Sequence, residues 1–275
     1  MTAQTAPAPT LTVRPVSFPR VLSSEWVKFW SLRSTYWTVG LTVLAMVAIS
    51  LLMGSVTLIA DGEEMGPPPE LVIGIGYSFG QVTIAVLGVM MIASEYTTGQ
   101  IRSTLAAVPT RVPVLAAKAI LIAVVGFFLG IIGTALSYLV TLPMVGDNAV
   151  DLADPEVLRL FWGAGLYLAA IGLLSLGVGA LLRHTAGGLA LVLGVLLLLP
   201  TIGQLLAMWQ DWMATVYPYL PTVAGERIAA PAMGEMEQAM GLPVPLEPWT
   251  GYGVLLIYVV VVLVAAALLM RRRDA

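Results

Sequence analysis

The sequence predicts an all-α integral membrane protein of six transmembrane helices, and three observations carry that prediction. The chain of 275 residues is 59% hydrophobic and only 11% charged, whereas a soluble domain usually carries about 25% charged residues. Too little polar surface exists to cover a water-soluble globule, so lipid must solvate most of the outside. Six apolar runs reach the roughly 20 residues that a helix needs to cross a hydrocarbon core about 30 Å thick. Finally, the basic residues gather on one side of those runs, as the positive-inside rule requires of a polytopic protein.

The six runs cover about 37–60, 71–93, 119–142, 157–182, 186–209 and 251–270. Only Arg183, His184 and Thr185 separate the fourth from the fifth. Together these two are too long for one crossing, so a hairpin is expected there. With the N-terminus placed in the cytoplasm, eleven of the thirteen Lys and Arg fall inside, and only Arg159 and Arg227 fall outside. Thirteen of the sixteen acids go the other way, leaving Glu25, Glu95 and Asp274 inside. Both termini are therefore expected to be cytoplasmic.

Residues 1–18, with Pro7, Pro9 and Pro15 among Thr and Ala, read as a flexible cytoplasmic tail, and residues 19–275 as a single transmembrane domain. The first apolar run, starting near Trp37, is longer than the apolar region of a cleavable signal and is expected to stay in the membrane. Residues 19–35 predict an interfacial helix. Leu22, Trp26, Phe29 and Trp30 share one face, and Ser24, Lys28 and Ser31 share the other, a pattern suited to the headgroup layer. Residues 94–118 form a cytoplasmic loop longer than a turn needs. Residues 210–250 form the longest outer segment, in which Met233, Met236 and Met240 share a helical face opposite Glu235 and Gln238.

Several chemistries are excluded or disfavoured. The chain has no cysteine, which removes disulfides, thiolate metal sites and Cys nucleophiles. Gly76-Tyr77-Ser78-Phe79-Gly80 fits the hydrolase pattern G-x-S-x-G, but that chemistry needs a strand-to-helix elbow and a histidine in reach. The only histidine, His184, is expected at the opposite membrane face, so close helix packing through the small residues explains the match better. The G-x-S-G signature of six-helix intramembrane proteases is absent. No Asp, Glu, Lys or His lies deep within a span, which disfavours an ion-coupled carrier. Arg159 lies near the outer mouth, where it can snorkel. Gln81 and Gln204 read as interhelical hydrogen-bond partners. A P-loop requires Gly-Lys-Ser/Thr, and neither Lys28 nor Lys118 follows a glycine. The chain is therefore expected to be non-catalytic, with no metal or cofactor of its own.

The stretch from Glu95 through Gly99, Arg102, Leu105, Pro109 and Arg111 to Lys118 resembles the first cytoplasmic loop of ABC-2 type transporter permeases. That loop has a Glu at the end of the second helix, then Gly, Leu and Pro followed by a basic residue, and closes on a Lys opening the third helix. Gly99-Gln100-Ile101 stands where the family often has Gly-Thr-Leu. The Glu25–Phe29 segment, with Trp26 and Lys28, is similar to the family's interfacial segment.

The resemblance implies a permease subunit of an exporter, working as a homodimer or heterodimer with two copies of a cytoplasmic ABC ATPase. That ATPase binds the ATP and Mg; nucleic acid has no part. It implies ATPase-coupling roles for Glu95, Gly99, Arg102, Pro109, Arg111 and Lys118. Arg102 and Arg111 are expected to meet acidic groups on the ATPase, and Glu95 to tie the loop to Arg33 or Lys118. Apolar spans suit a hydrophobic or amphiphilic cargo such as a drug, antibiotic or lipid, and the composition suggests a bacterial plasma membrane. The alternatives are a non-ABC polytopic protein, such as an ion-coupled carrier or lipid-modifying enzyme, or a structural or sensory membrane partner.

Overall fold

The computed structural model describes residues 17–59, 66–146, 149–231, 233 and 243–272. Among these, six helical segments are long and apolar enough to cross a membrane. After a short helix α1 (Phe18–Ser31), the first span is α2 (Arg33–Ile59). The second is α3 (Pro69–Gly74) continued, after a break at Ile75–Gly76, by α4 (Tyr77–Thr97). A short α5 (Gln100–Ala107) leads to the third span, α6 (Val112–Val145), and the fourth is α7 (Pro155–Leu182). The fifth combines α8 (Thr185–Leu193), a π turn (Gly194–Leu198) and α9 (Leu199–Ala207). Then come α10 (Asp211–Val216), α11 (Pro221–Glu226) and the sixth span, α12 (Pro248–Arg272).

The first span turns its largest apolar side chains outward. Helix α2 buries Thr35, Thr42, Met46, Ser50 and Gly54, a stripe of mostly small or hydroxylated residues about one turn apart. Its outward face carries Leu41, Leu44 and Leu52, all exposed. Lipid tails are as apolar as leucine, so burial of leucine drives nothing in a bilayer, and small residues that let backbones approach take the inner positions. Exposed tryptophans mark both ends: Trp26 and Trp37 at one, Trp162, Trp209, Trp212 and Trp249 at the other. This is the distribution of the interfacial aromatic belts of membrane proteins.

The second and fourth spans are the most buried, and the first, fifth and sixth lie at the rim. Close approach to α7 is built on glycine. A Cβ at Gly88 of α4 would meet the Gly172 carbonyl oxygen at 2.6 Å, and one at Gly126 of α6 would meet the Leu168 carbonyl oxygen at 2.9 Å. Gly130, one turn on from Gly126, rests directly on the Ala164 backbone. Gly76 and Gly80, the glycines of the hydrolase-like pentapeptide, pack against Met46 of α2. Tyr167 donates to Gln81 Oε1 at 2.6 Å, joining the two most buried spans. Gln204 is half-buried and shows no comparable side-chain bond.

Three boundaries differ from those read in the sequence. Helix α6 starts at Val112 rather than near residue 119, so Lys118 lies almost two turns inside it instead of opening it. Helix α4 runs on to Thr97, which shortens the loop between the second and third spans to residues 98–111. The outer segment is not a surface loop throughout: α11 buries Pro221, Thr222, Val223, Ala224 and Gly225, packed against α12. Arg159 Nη1 donates to the carbonyls of Arg227, Ile228 and Ala230 at 3.0–3.1 Å. It satisfies groups that the end of a buried helix would otherwise leave orphaned. The methionine face at 233–240, apart from Met233, lies outside the described residues, as do most of the tail and Arg273.

Candidate functional site

At the end of the bundle that holds α1 and the last turn of α12, five side chains from four helices meet. Glu25 and Lys28 come from α1, Glu95 from the last turns of α4, Thr104 from α5 and Lys118 from α6. The Lys118 ammonium reaches Glu25 Oε2 at 2.5 Å, Glu95 Oε1 at 2.7 Å and the Met91 carbonyl at 3.1 Å. An ammonium has three protons, and here each has an acceptor. Lys28 Nζ lies 2.8 Å from Glu25 Oε1, 3.5 Å from Glu95 Oε1 and 3.2 Å from Thr104 Oγ1. The Thr104 hydroxyl in turn donates to Glu95 Oε2 at 3.3 Å. All four carboxylate oxygens are thus engaged, and two cations balance two anions.

The burial of these groups decides how much they matter. The side chains of Lys118 and Glu25 are each 2% exposed and that of Glu95 7%, whereas Lys28 keeps 34%. Burial alone would raise the Glu25 carboxyl, but Lys118 first and Lys28 second outweigh it and hold the group below the ordinary 4.5. Burial alone would lower the Lys28 ammonium; Glu25 and then Glu95 outweigh it and hold it above the ordinary 10.5. Glu25 and Lys28 are therefore both ionised across the neutral range. Breaking one partner out of a buried ion pair costs about 3–5 kcal/mol, because the other charge stays buried without its counter-ion.

Local sequence sets this geometry. Leu32 takes an extended conformation that ends α1 before α2 begins, so α1 lies apart from the first span rather than extending it. Its buried stripe is Val21, Glu25 and Phe29, a four-residue repeat that puts a carboxylate between two apolar anchors. Gly99 has φ +75°, a left-handed conformation that costs other residues about 1–2 kcal/mol. Nothing lies within 4 Å of a Cβ built there, so torsion rather than space requires glycine. The reversal turns α5 so that Ile101 and Leu105 are buried while Arg102, Ser103, Ala106, Ala107 and Pro109 are exposed.

Two further cations stitch the same end. Arg111, at φ +58°, begins α6 and donates from Nη1 to the Met270 carbonyl at 3.1 Å, near the end of α12. Arg183, at φ +54°, closes α7 and stands 5.0 Å over the Tyr96 ring, a cation–π contact between the fourth-to-fifth turn and the second span. His184 follows, exposed, its Nδ1 accepting from the Gly187 N–H at 3.0 Å as the cap of α8. It stands at the far end of α4 from Ser78.

Of the six loop residues singled out in the sequence, Glu95 and Lys118 meet in the cluster, and Gly99 makes the turn. Arg102 and Pro109 face outward, while Arg111 donates from Nη1 to the Met270 carbonyl of the sixth span. Glu95 pairs with Lys118 rather than with Arg33, which is exposed. In α1, Phe29 is buried, and Leu22 and Trp30 are partly so; Trp26 is half exposed, its ring 5.8 Å from that of Trp30. Lys28, assigned to the headgroup face, instead reaches into the cluster because Glu25, one turn earlier, sits on the buried stripe. Sequence reasoning missed Glu25 and Thr104. The available signal was that Glu25 and Glu95 are acids on a side otherwise rich in cations, and that Glu25 is in phase with Val21 and Phe29.

A family profile described as ABC-2 family transporter protein matches residues 59–275. The chain belongs to the ABC-2 transporter family. No curated protein matches the chain. The matched residues include Glu95, α5 and Lys118, whereas α1 and all but the last residue of the first span precede them. Membership makes this chain a multi-pass membrane component of a transport system, of a kind that generally works with an ABC ATPase.

Proposed function

We propose that this chain is the permease subunit of an ATP-driven exporter in a bacterial plasma membrane, with both termini cytoplasmic. It pairs with a second permease copy and receives two copies of a cytoplasmic ABC ATPase, which bind the ATP and Mg. The cargo is a hydrophobic or amphiphilic molecule such as a drug, antibiotic or lipid, a class suited to spans free of deep charge. The observation that carries the reading is the build of α5. Its outer face (Arg102, Ser103, Ala106, Ala107 and Pro109) is exposed, while on its inner face Ile101 and Leu105 are buried and Thr104 is tied to two other helices, α1 and α4. A push on this helix passes to α1 and to the second and third spans through the Lys28–Glu95–Lys118 cluster, and to the sixth through Arg111. Glu95, Gly99, Arg111 and Lys118 act as the linkage in this mechanism, and Arg102 and Pro109 as the contact.

The test is purification of the tagged full chain in mild detergent, followed by ATPase and vesicle-transport assays. A P-loop ATPase should copurify in stoichiometric amount, with turnover that depends on this chain. Arg102→Glu should leave folding and insertion intact while lowering chain-dependent ATP turnover about tenfold, the effect of losing about 1.4 kcal/mol of contact energy. Transport by the purified chain without any ATPase would favour a carrier or lipid-modifying enzyme. Partner binding without transport would favour a structural or sensory role.

A further inference from the structure

Between the fourth, fifth and sixth spans lies an apolar cavity of about 280 Å³, separate from the charged end of the bundle. Leu174 and Val178 of α7, Val195 and Leu196 of the π turn, and Val262 of α12 form its walls. Leu174 and Leu196 at the back are buried, and Leu191, Leu199 and Tyr258 at the mouth are exposed on the outside of the bundle. The π turn has a local cause. Pro200 cannot donate a backbone bond, and its ring would crowd the Leu196 carbonyl in a regular helix. The chain widens at Gly194–Leu198 instead, with the Leu199 N–H donating to the Gly194 carbonyl. Such widened turns are frequent at functional sites.

What fills the cavity follows from its chemistry. A trapped water needs two to four polar partners. The polar side-chain atom in the lining is the Tyr258 hydroxyl, which already donates to the Tyr219 carbonyl at 3.3 Å. An apolar cavity of about 150 Å³ takes up benzene; this one is nearly twice that volume. At about 1.5 Å per residue, Leu191 and Leu199 lie roughly 9 and 21 Å along the fifth span from its start at Thr185. The mouth therefore opens sideways into hydrocarbon, too deep for a headgroup and with nothing to hold one. We infer that this cavity is a binding site for one acyl chain of a bilayer phospholipid, whose headgroup stays outside at the interface. The inference requires that the helices lie in a membrane and that this face of the fifth span meets lipid rather than the second permease copy. It stands or falls independently of the ATPase partner.

The test uses the full chain in phosphatidylcholine nanodiscs containing a trace of phosphatidylcholine with a photoactivatable diazirine in mid-chain. After irradiation, cross-links are mapped by mass spectrometry. Labelling per residue at 191–199 and 258–262 should exceed that at Leu41, Leu44 and Leu52 by about fivefold, equal to about 1 kcal/mol. The latter three are exposed lipid-facing residues of the first span. Val195→Trp, which fills the cavity, should abolish the excess, whereas Leu44→Trp should leave it unchanged. If Val195→Trp yields no monodisperse protein, Val178→Phe serves in its place. Even labelling of both regions, an excess that survives filling, or an absence of lipid adducts at 191–199 would each overturn the assignment.

Discussion

Replacing Lys118 with methionine keeps the length and bulk of the side chain and removes the ammonium on which both buried carboxylates converge. Glu25 and Glu95 are then left with the partly exposed Lys28 as their shared cation. Two nearby buried anions held by one cation will not both stay ionised, so one takes up a proton. With an ordinary carboxyl value of 4.5, protonating one group at pH 7 costs about 3.4 kcal/mol at 1.36 kcal/mol per pH unit. This sits within the range of about 3–5 kcal/mol found on breaking buried pairs. At about 2–4 °C per kcal/mol for a chain of this size, the apparent melting temperature should fall by roughly 7–14 °C at pH 7. The loss has a signature that a packing defect lacks. At about pH 5 the proton costs under about 1 kcal/mol, so most of the deficit should vanish. The double variant Lys118→Met with Glu95→Gln should also recover most of it at neutral pH. Thermal unfolding in detergent at the two pH values, with size-exclusion chromatography as a check on assembly, reads the result. An unchanged melting temperature at pH 7, or an equal deficit at both pH values, would falsify the account of the cluster as a buried, charge-balanced linkage.

In the unaltered protein the same groups predict a flat pH response. Glu25, depressed, contributes stability above its unfolded value that is lost only as pH falls through its lowered native value. Lys28, raised, contributes stability below its unfolded value that is lost only as pH rises through its raised native value. Melting between about pH 6 and pH 9 should therefore vary little through these two groups. Gly99→Ala should fold but lose about 1–2 kcal/mol and some coupling, because alanine resists φ +75° although space is available. Gly99→Pro, locked near −65°, should instead break the α4–α5 reversal, seen as new protease cleavage between Thr97 and Val112. Gly130→Val should abolish recovery of monodisperse protein, since the added side chain enters the Ala164 backbone, whereas Gly40→Ala, with nothing within 4 Å, should be neutral. Equal yields of these two variants would show that the α6–α7 contact is looser than described.

The pattern of these predictions tracks what can be read from one dimension. The spans were legible because each is a continuous apolar run, and α5 because Gly99 and Pro109 punctuate it. The π turn was harder, since Pro200 signals a disturbance but not the form it takes. Gly126 and Gly130, four residues apart, are a packing signal visible in the sequence, yet nothing there says that α7 is the helix they meet. Arg111 shows the limit most clearly. Its charge and position fit an outward contact, but the φ +58° start of α6 aims it at Met270, 159 residues away.

By itself, the order of residues determined that this chain is a multi-pass membrane protein with six helices long and apolar enough to cross a bilayer. Transfer of each side chain from water to hydrocarbon is a local, nearly additive quantity, and it can be summed along the chain. Only the tertiary structure decided that Glu25, Glu95, Lys28 and Lys118 form one neutral cluster, with Lys118 and Glu25 drawn together across 93 positions. Coulomb energy in a buried site changes steeply over an ångström or two, and such distances are set by how the helices pack rather than by any residue's own preference.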